Sequence, residues 1–184
     1  MQLRSPGLML GLMSELDEIW SKMLTEASLR ARTDDRRDVV DYLDLRASND
    51  LLRRTSVKWL LDTLIEHAAT ANREYAALAI ERVDPYNFAF RGANLVGTSI
   101  TVRYGVRCLT VEAGWTRTPA DGFMRGGMLA FARFRHFGLP NASMEAALYR
   151  TSDSPAWRIL IDEKPGREIH YDDLNGHISL VTGT

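Results

Sequence analysis

Residues 99–112 read Ser99-Ile100-Thr101-Val102-Arg103-Tyr104-Gly105-Val106-Arg107-Cys108-Leu109-Thr110-Val111-Glu112, and their reading decides the fold. Apolar and polar residues alternate on both sides of Gly105-Val106, the period of a strand with one face buried. A two-residue turn there, with Gly105 supplying positive φ, pairs Tyr104 with Arg107. The same register sets Val102 opposite Leu109 and Ile100 opposite Val111 on one face. Arg103 then lies opposite Cys108, Thr101 opposite Thr110 and Ser99 opposite Glu112 on the other. Apolar meets apolar and polar meets polar, so an antiparallel hairpin of half-buried sheet is expected.

Toward the C-terminus the alternation continues. Trp157, Ile159 and Ile161 predict a strand followed by a turn at Lys164-Pro165-Gly166. Residues 168–171 and 178–181 read as strands flanking a turn at Asp172–Gly176. Two stretches are ambiguous between strand and helix. Residues 128–137 alternate weakly but end in Gly138-Leu139-Pro140, a helix stop as much as a turn; their aromatic content favours strand. Residues 143–150 read as a short capped helix or as a strand.

Toward the N-terminus the period changes near residue 95 to three and four. Leu16, Ile19, Trp20, Met23, Leu24 and Ala27 form one stripe behind a capping sequence at Ser14-Glu15-Leu16-Asp17, predicting a helix to about Arg32. Asp34 and Asp35 read as the cap of a second helix carrying Val39, Val40, Leu43 and Ala47. A third begins at Thr55 or Ser56, with Val57, Leu60, Leu61, Leu64, Ala68, Ala71, Tyr75 and Leu78 on one face, and ends at Asp84-Pro85. The expected fold is α+β: N-terminal helices (14–82) packed on a C-terminal antiparallel β-meander sheet (95–182) of five to seven strands. At 184 residues and 45% hydrophobic, the chain suits one domain, 1–184. Residues 1–13 read either as a weak leader or as upstream of a true start at Met13.

Composition excludes more than it selects. A net charge of −1 gives no global field for nucleic acid or an anionic membrane, and no stretch approaches a membrane span. The single cysteine, Cys108, excludes an intramolecular disulfide and multi-cysteine metal sites, and fits a cytoplasmic location. Asp62, Glu66 and His67 invite a metal reading, but a zinc helix needs a second histidine at position 71, which is Ala. No metal and no cofactor are therefore expected. A helix-turn-helix around Arg53, Arg54 and Lys58 is disfavoured by Asp62, Glu66, Glu74 and Glu81.

The loop Gly114–Gly127 holds more than a turn requires: glycines, Arg117 and Arg125, Asp121, and the aromatics Trp115 and Phe123. Arg can clamp an anion and the aromatics can stack, so Trp115, Arg117, Asp121 and Arg125 are the candidate binding residues. A connection stapled to the core by Trp115 and Phe123 explains the same residues structurally. Between 99 and 158 eight arginines (103, 107, 117, 125, 133, 135, 150, 158) face four acids (Glu112, Asp121, Glu145, Asp153). His136, His170 and His177 are scattered, with no carboxylate placed beside them.

Three functions follow as expectations. The first is a non-enzymatic module binding a protein or a small anionic ligand through the loop, with homo-oligomerisation allowed. The second is an enzyme on a small anionic substrate, with Asp121 or His136 as acid–base group beside two arginines. The third is single-stranded nucleic-acid binding by Arg-bearing strands. It is the least expected, because acidic helices packed on the sheet would pair with those arginines.

Overall fold

The structure, a computed structural model, describes residues 8–33, 36–152 and 154–184, and side chains other than those of 8–18, 20 and 21. The described chain carries three α-helices and a seven-stranded antiparallel sheet, the expected α+β arrangement with the strands in sequence order. It divides into two compact units, one up to Leu51 and one from Leu52 onward.

In the first unit, α1 (Leu8–Thr33) is followed by the first part of α2 (Arg37–Glu74). Helix α1 begins upstream of Ser14, so Ser14 lies inside the helix instead of capping it. The expected cap at Asp34-Asp35 falls outside the described residues, as do 1–7 of the opening segment. The second and third expected helices are one continuous helix, α2.

In the second unit, the rest of α2 lies on the sheet. Val57, Leu60, Leu61, Leu64, Ala68 and Ala71 share one buried cluster with Ile100, Val102, Leu109, Val111 and Phe134. Ser56 O accepts a hydrogen bond from Trp157 Nε1 (3.1 Å), and Leu129 O accepts one from Arg53 Nε (2.9 Å). The helix ends at Glu74, well before the expected stop at Asp84-Pro85. Asn72 explains the stop: its amide donates to Leu78 O (3.0 Å) and accepts from Leu78 N (2.6 Å), closing the chain back on itself.

The sheet begins earlier than expected, with β1 (Ala79–Phe90) and β2 (Ala93–Tyr104). Strand β1 hid from the hydrophobic pattern because Ala79–Val83 are all exposed and its register shifts between Val83 and Tyr86. The Gly105-Val106 hairpin joins β2 to β3 (Arg107–Trp115) in the expected register, residue for residue. Strand β4 (Met128–His136) and β5 (Met144–Tyr149) resolve the two ambiguous stretches as strands. Between β6 (Ala156–Ile161) and β7 (Lys164–Glu168) the turn is Asp162-Glu163, at φ 48° and 67°. Lys164-Pro165-Gly166 is part of β7, on the sheet edge where a proline is tolerated.

The chain closes with α3 (Tyr171–Thr182) where two strands and a turn were expected. Its buried residues Leu174, His177, Ile178 and Val181 recur at helical spacing, and the three apolar ones join the main core. Asn175-Gly176, taken for a turn, lies exposed on its outer side.

One line across the sheet bends it. Gly97 pairs with Gly114 beside the β1 irregularity, and a Cβ on Gly97 would lie 1.9 Å from Ala113 O. Backbones approach here as no side chain permits. Beyond this line the end of the β1–β2 hairpin folds over the face opposite the helices, so that Phe90 stacks on Phe131 of β4 at 3.7 Å.

Candidate functional site

That folded-over end creates a second, smaller core of Phe88, Phe90, Ala93, Leu95, Met128, Phe131 and Ala147. Glu112 of β3 lies on this face, only 2% exposed. Its Oε1 accepts from Tyr86 Oη (3.0 Å) and Arg135 Nη2 (2.8 Å). Its Oε2 accepts from Arg133 Nε (3.0 Å) and Nη2 (2.9 Å). A buried carboxylate is tolerated only with such compensation. The hydrogen bond to Glu112 raises the Tyr86 phenol above its usual value.

Next to this cluster, Ala89, Phe90, Arg91, Arg133, Glu145, Leu160, Asp162 and Glu163 line a pocket of about 390 Å³. Arg91, in the β1–β2 turn, reaches Glu163 in the β6–β7 turn (3.4 Å) and covers the Phe90 ring at 4.8 Å. Arg91, Asp162 and Glu163 are the non-glycine residues with positive φ among the described residues, at 48°, 48° and 67°. All three line this pocket. Tyr149, half-buried on the same face, is raised above its usual pKa by burial, against the pull of Arg91 and Arg158.

The loop residues chosen from sequence are drawn together only in part. Trp115 ends β3 and is buried in the main core, and the Arg117 guanidinium stacks on its ring at 3.9 Å. Asp121 serves its own loop: Oδ2 accepts from Thr118 N (2.8 Å), Thr118 Oγ1 (2.9 Å) and Arg117 N (3.2 Å). Those bonds hold its carboxyl below the usual range. Arg125 is exposed at the far side of the loop, and Phe123, expected to staple it, is 76% exposed. Met124 provides the staple, packed against the smaller core. The loop also abuts the β1–β2 turn, where a Cβ on Gly122 would lie 3.3 Å from Ala93.

Two of the three histidines expected to be scattered are brought together. His136 Nε2 and His177 Nδ1 are 2.9 Å apart, buried between β4 and α3, with His177 stacked on Phe134. Burial lowers both, His177 to about 4, where neighbouring His136 adds to the effect. His67 Nε2 lies 3.2 Å from Tyr171 O and its ring against the Tyr171 ring. His170 precedes α3, where its N–H donates to Asp173 Oδ2 (2.8 Å). Arg167 clamps Asp173 with two bonds of 2.7 Å, which hold that carboxyl at about 2.

Cys108 is half-buried, 4.0 Å from Thr110 Oγ1. Asp62 pairs with Lys58, and among the described residues no three His, Cys, Asp or Glu side chains converge as metal ligands. No described helix is long and apolar enough to cross a membrane.

Sequence reasoning missed Tyr86, Arg91, Asp162 and Glu163, and placed Glu112 opposite Ser99 on the polar face of the hairpin without its partners. Arg91-Gly92 and Asp162-Glu163 are two-residue connections between strands, of which only Arg91-Gly92 carries the glycine that marks such a turn in a sequence. No family model, no curated protein and no solved structure matches this chain.

Proposed function

We propose that this chain is a non-enzymatic binding module whose ligand site is the pocket between the β1–β2 and β6–β7 turns. The observation that carries the proposal is the concentration of positive-φ residues there. Left-handed backbone costs an ordinary L-residue about 1 kcal/mol, and such strain gathers where side chains must be presented for use. Arg91 offers a guanidinium donor, Glu145, Asp162 and Glu163 offer acceptors, and Phe90 and Leu160 form an apolar wall. The chemistry suits a small ligand carrying both an anionic group and an ammonium group.

Replacing Asp162→Asn together with Glu163→Gly tests this reading. Those residues are at ease in a two-residue turn, so the variant should unfold about 1 kcal/mol harder. Wild-type protein should gain thermal stability with a member of a panel of amino acids, ω-amino acids and phosphoamines, and the variant should not. A panel with no effect on the wild type, or equal binding by both proteins, defeats the proposal.

The enzyme reading called for Asp121 or His136 beside two arginines. Asp121 instead accepts from its own loop and His136 meets His177. For nucleic acid, Arg133 and Arg135 are closed on Glu112, a partner within the sheet and not on the helices as expected. We expect no oligonucleotide binding at physiological salt, measured by anisotropy.

A further inference from the structure

We propose that the cavity between the β2–β3 turn, the β4–β5 turn and the end of α3 binds a small amphiphilic anion, a carboxylate carried on an apolar body. Both turns leave the sheet at one end, where Phe137 N donates to Cys108 O (2.8 Å). With the last turn of α3 they enclose about 500 Å³, and Val106, Arg107, Phe137, Leu139, Leu180 and Gly183 are in the lining. Volume and lining suit a small-molecule site. None of the residues is shared with the pocket at the β1–β2 and β6–β7 turns. The apolar members are unusual at a surface. Val106 is 87% exposed at a tight-turn position that a small polar residue ordinarily fills, and Phe137 is 75% exposed beside Gly138. Leu139 and Leu180 are exposed as well. A lone exposed apolar side chain needs no explanation, but four around one depression mark a contact surface.

Charge identifies the occupant. Arg107 is the only charged side chain in the lining, and residues 103–108, 136–144 and 176–184 contain no Asp or Glu. Arg107 makes no ion pair and no hydrogen bond with another described residue. Strand alternation puts it on the same face of β3 as Leu109 and Val111, the face toward α3. Its guanidinium lies against the end of that helix, where a Cβ on Gly183 would overlap Nη1. The C-terminal end of a helix carries a fractional negative charge, which holds a guanidinium in place without neutralising it. A fork of N–H donors at the margin of an apolar cavity matches a carboxylate in two parallel bonds. One arginine is too few for an anionic bilayer, whose recognition takes clusters of about four to eight basic residues. It matches the single head group of a small molecule.

Titration calorimetry of the full chain with sodium octanoate tests the proposal. The wild type should bind octanoate saturably, and octanol, equal in chain but uncharged, about tenfold more weakly. Arg107→Gln should weaken octanoate about tenfold and leave octanol unchanged, whereas Phe137→Ser should weaken both. Arg107 and Phe137 are exposed, so neither change removes a buried contact, and a melting temperature close to wild type checks this. Should a variant unfold, the contrast between octanoate and octanol on the wild type decides alone. Absence of saturable octanoate binding by the wild type overturns the proposal, as does equal affinity for octanol. An Arg107→Gln protein that folds and binds octanoate like the wild type also overturns it. So does cosedimentation with phosphatidylserine vesicles without octanoate binding, which assigns the same patch to a membrane.

Discussion

On its helix-covered face the sheet buries Ile100, Val102, Leu109, Val111 and Phe134 against α2 and α3, while its other face buries Phe88, Phe90, Phe131 and a carboxylate. The same strands build both. The first face is filled by aliphatic and aromatic groups that need only be apolar and of suitable size, so packing alone stabilises it. No described helical residue belongs to the core of the second face. Its cover is the sheet's own folded-over end, and where that cover runs out Tyr86, Arg133 and Arg135 enclose Glu112. A face closed by directional bonds is specific but easily broken, whereas an apolar face tolerates change.

The fold-over itself is the first thing to break. Gly97→Ala places a methyl against Ala113 O and Gly114, both backbone, so neither can move aside. We expect loss of the cooperative thermal transition; a melt close to wild type would show that the bend does not depend on this glycine. On the helix face, Phe134→Ala should cost about 4 kcal/mol in urea unfolding and leave the second face intact. On the second face, Glu112→Ala should cost about 3 kcal/mol, because it strands two guanidinium groups beside each other. If Glu112→Ala proves nearly neutral, the polar closure is incidental and the comparison fails.

Acid should act on the helix face through α3. The folded-state pKa of His177 is depressed to about 4 while the unfolded value is about 6.5. Its contribution is therefore fully present above about pH 6.5 and is lost as pH falls from there through 4, since only the unfolded chain binds the proton in that window. His136, depressed in the same direction, deepens the loss. Denaturation at pH 7 and pH 4 should differ by about 2–3 kcal/mol from this pair, and His177→Phe should flatten the dependence. The smallest effect belongs to Arg135→Ala. Half-exposed Arg135 leaves Glu112 still bonded to Arg133 and Tyr86, so the cost should be about 1 kcal/mol. A loss equal to that of Glu112→Ala would mean that the cluster acts as one unit.

Most of the helix face was legible in the sequence. The stripe from Val57 to Ala71 and the register from Ser99 to Glu112 follow from periods of three to four and of two, which one face of a regular element imposes on its own residues. The errors fell where that link is weak. Strand β1 is exposed along its first half, so alternation left no trace there. Helix α3 does show helical spacing at 174, 177, 178 and 181, but Asn175-Gly176 on its exposed side imitated a turn. Of the candidate site, Trp115, Arg117, Asp121 and Arg125 stand out in sequence because Arg can clamp an anion and an aromatic ring can stack. Asp121 turned out to hold its own loop and Trp115 the core.

Local period and turn chemistry thus determined, from sequence alone, the fold class, the central hairpin and the apolar face of the principal helix. They work because each depends on residues a few positions apart. Only the tertiary structure decided that Glu112 meets Tyr86, Arg133 and Arg135, that His136 meets His177, and that Arg91 meets Glu163. Those pairs lie 21 to 72 positions apart, a separation closed by the bend at Gly97 and Gly114 and by the docking of α3, and no local pattern encodes it.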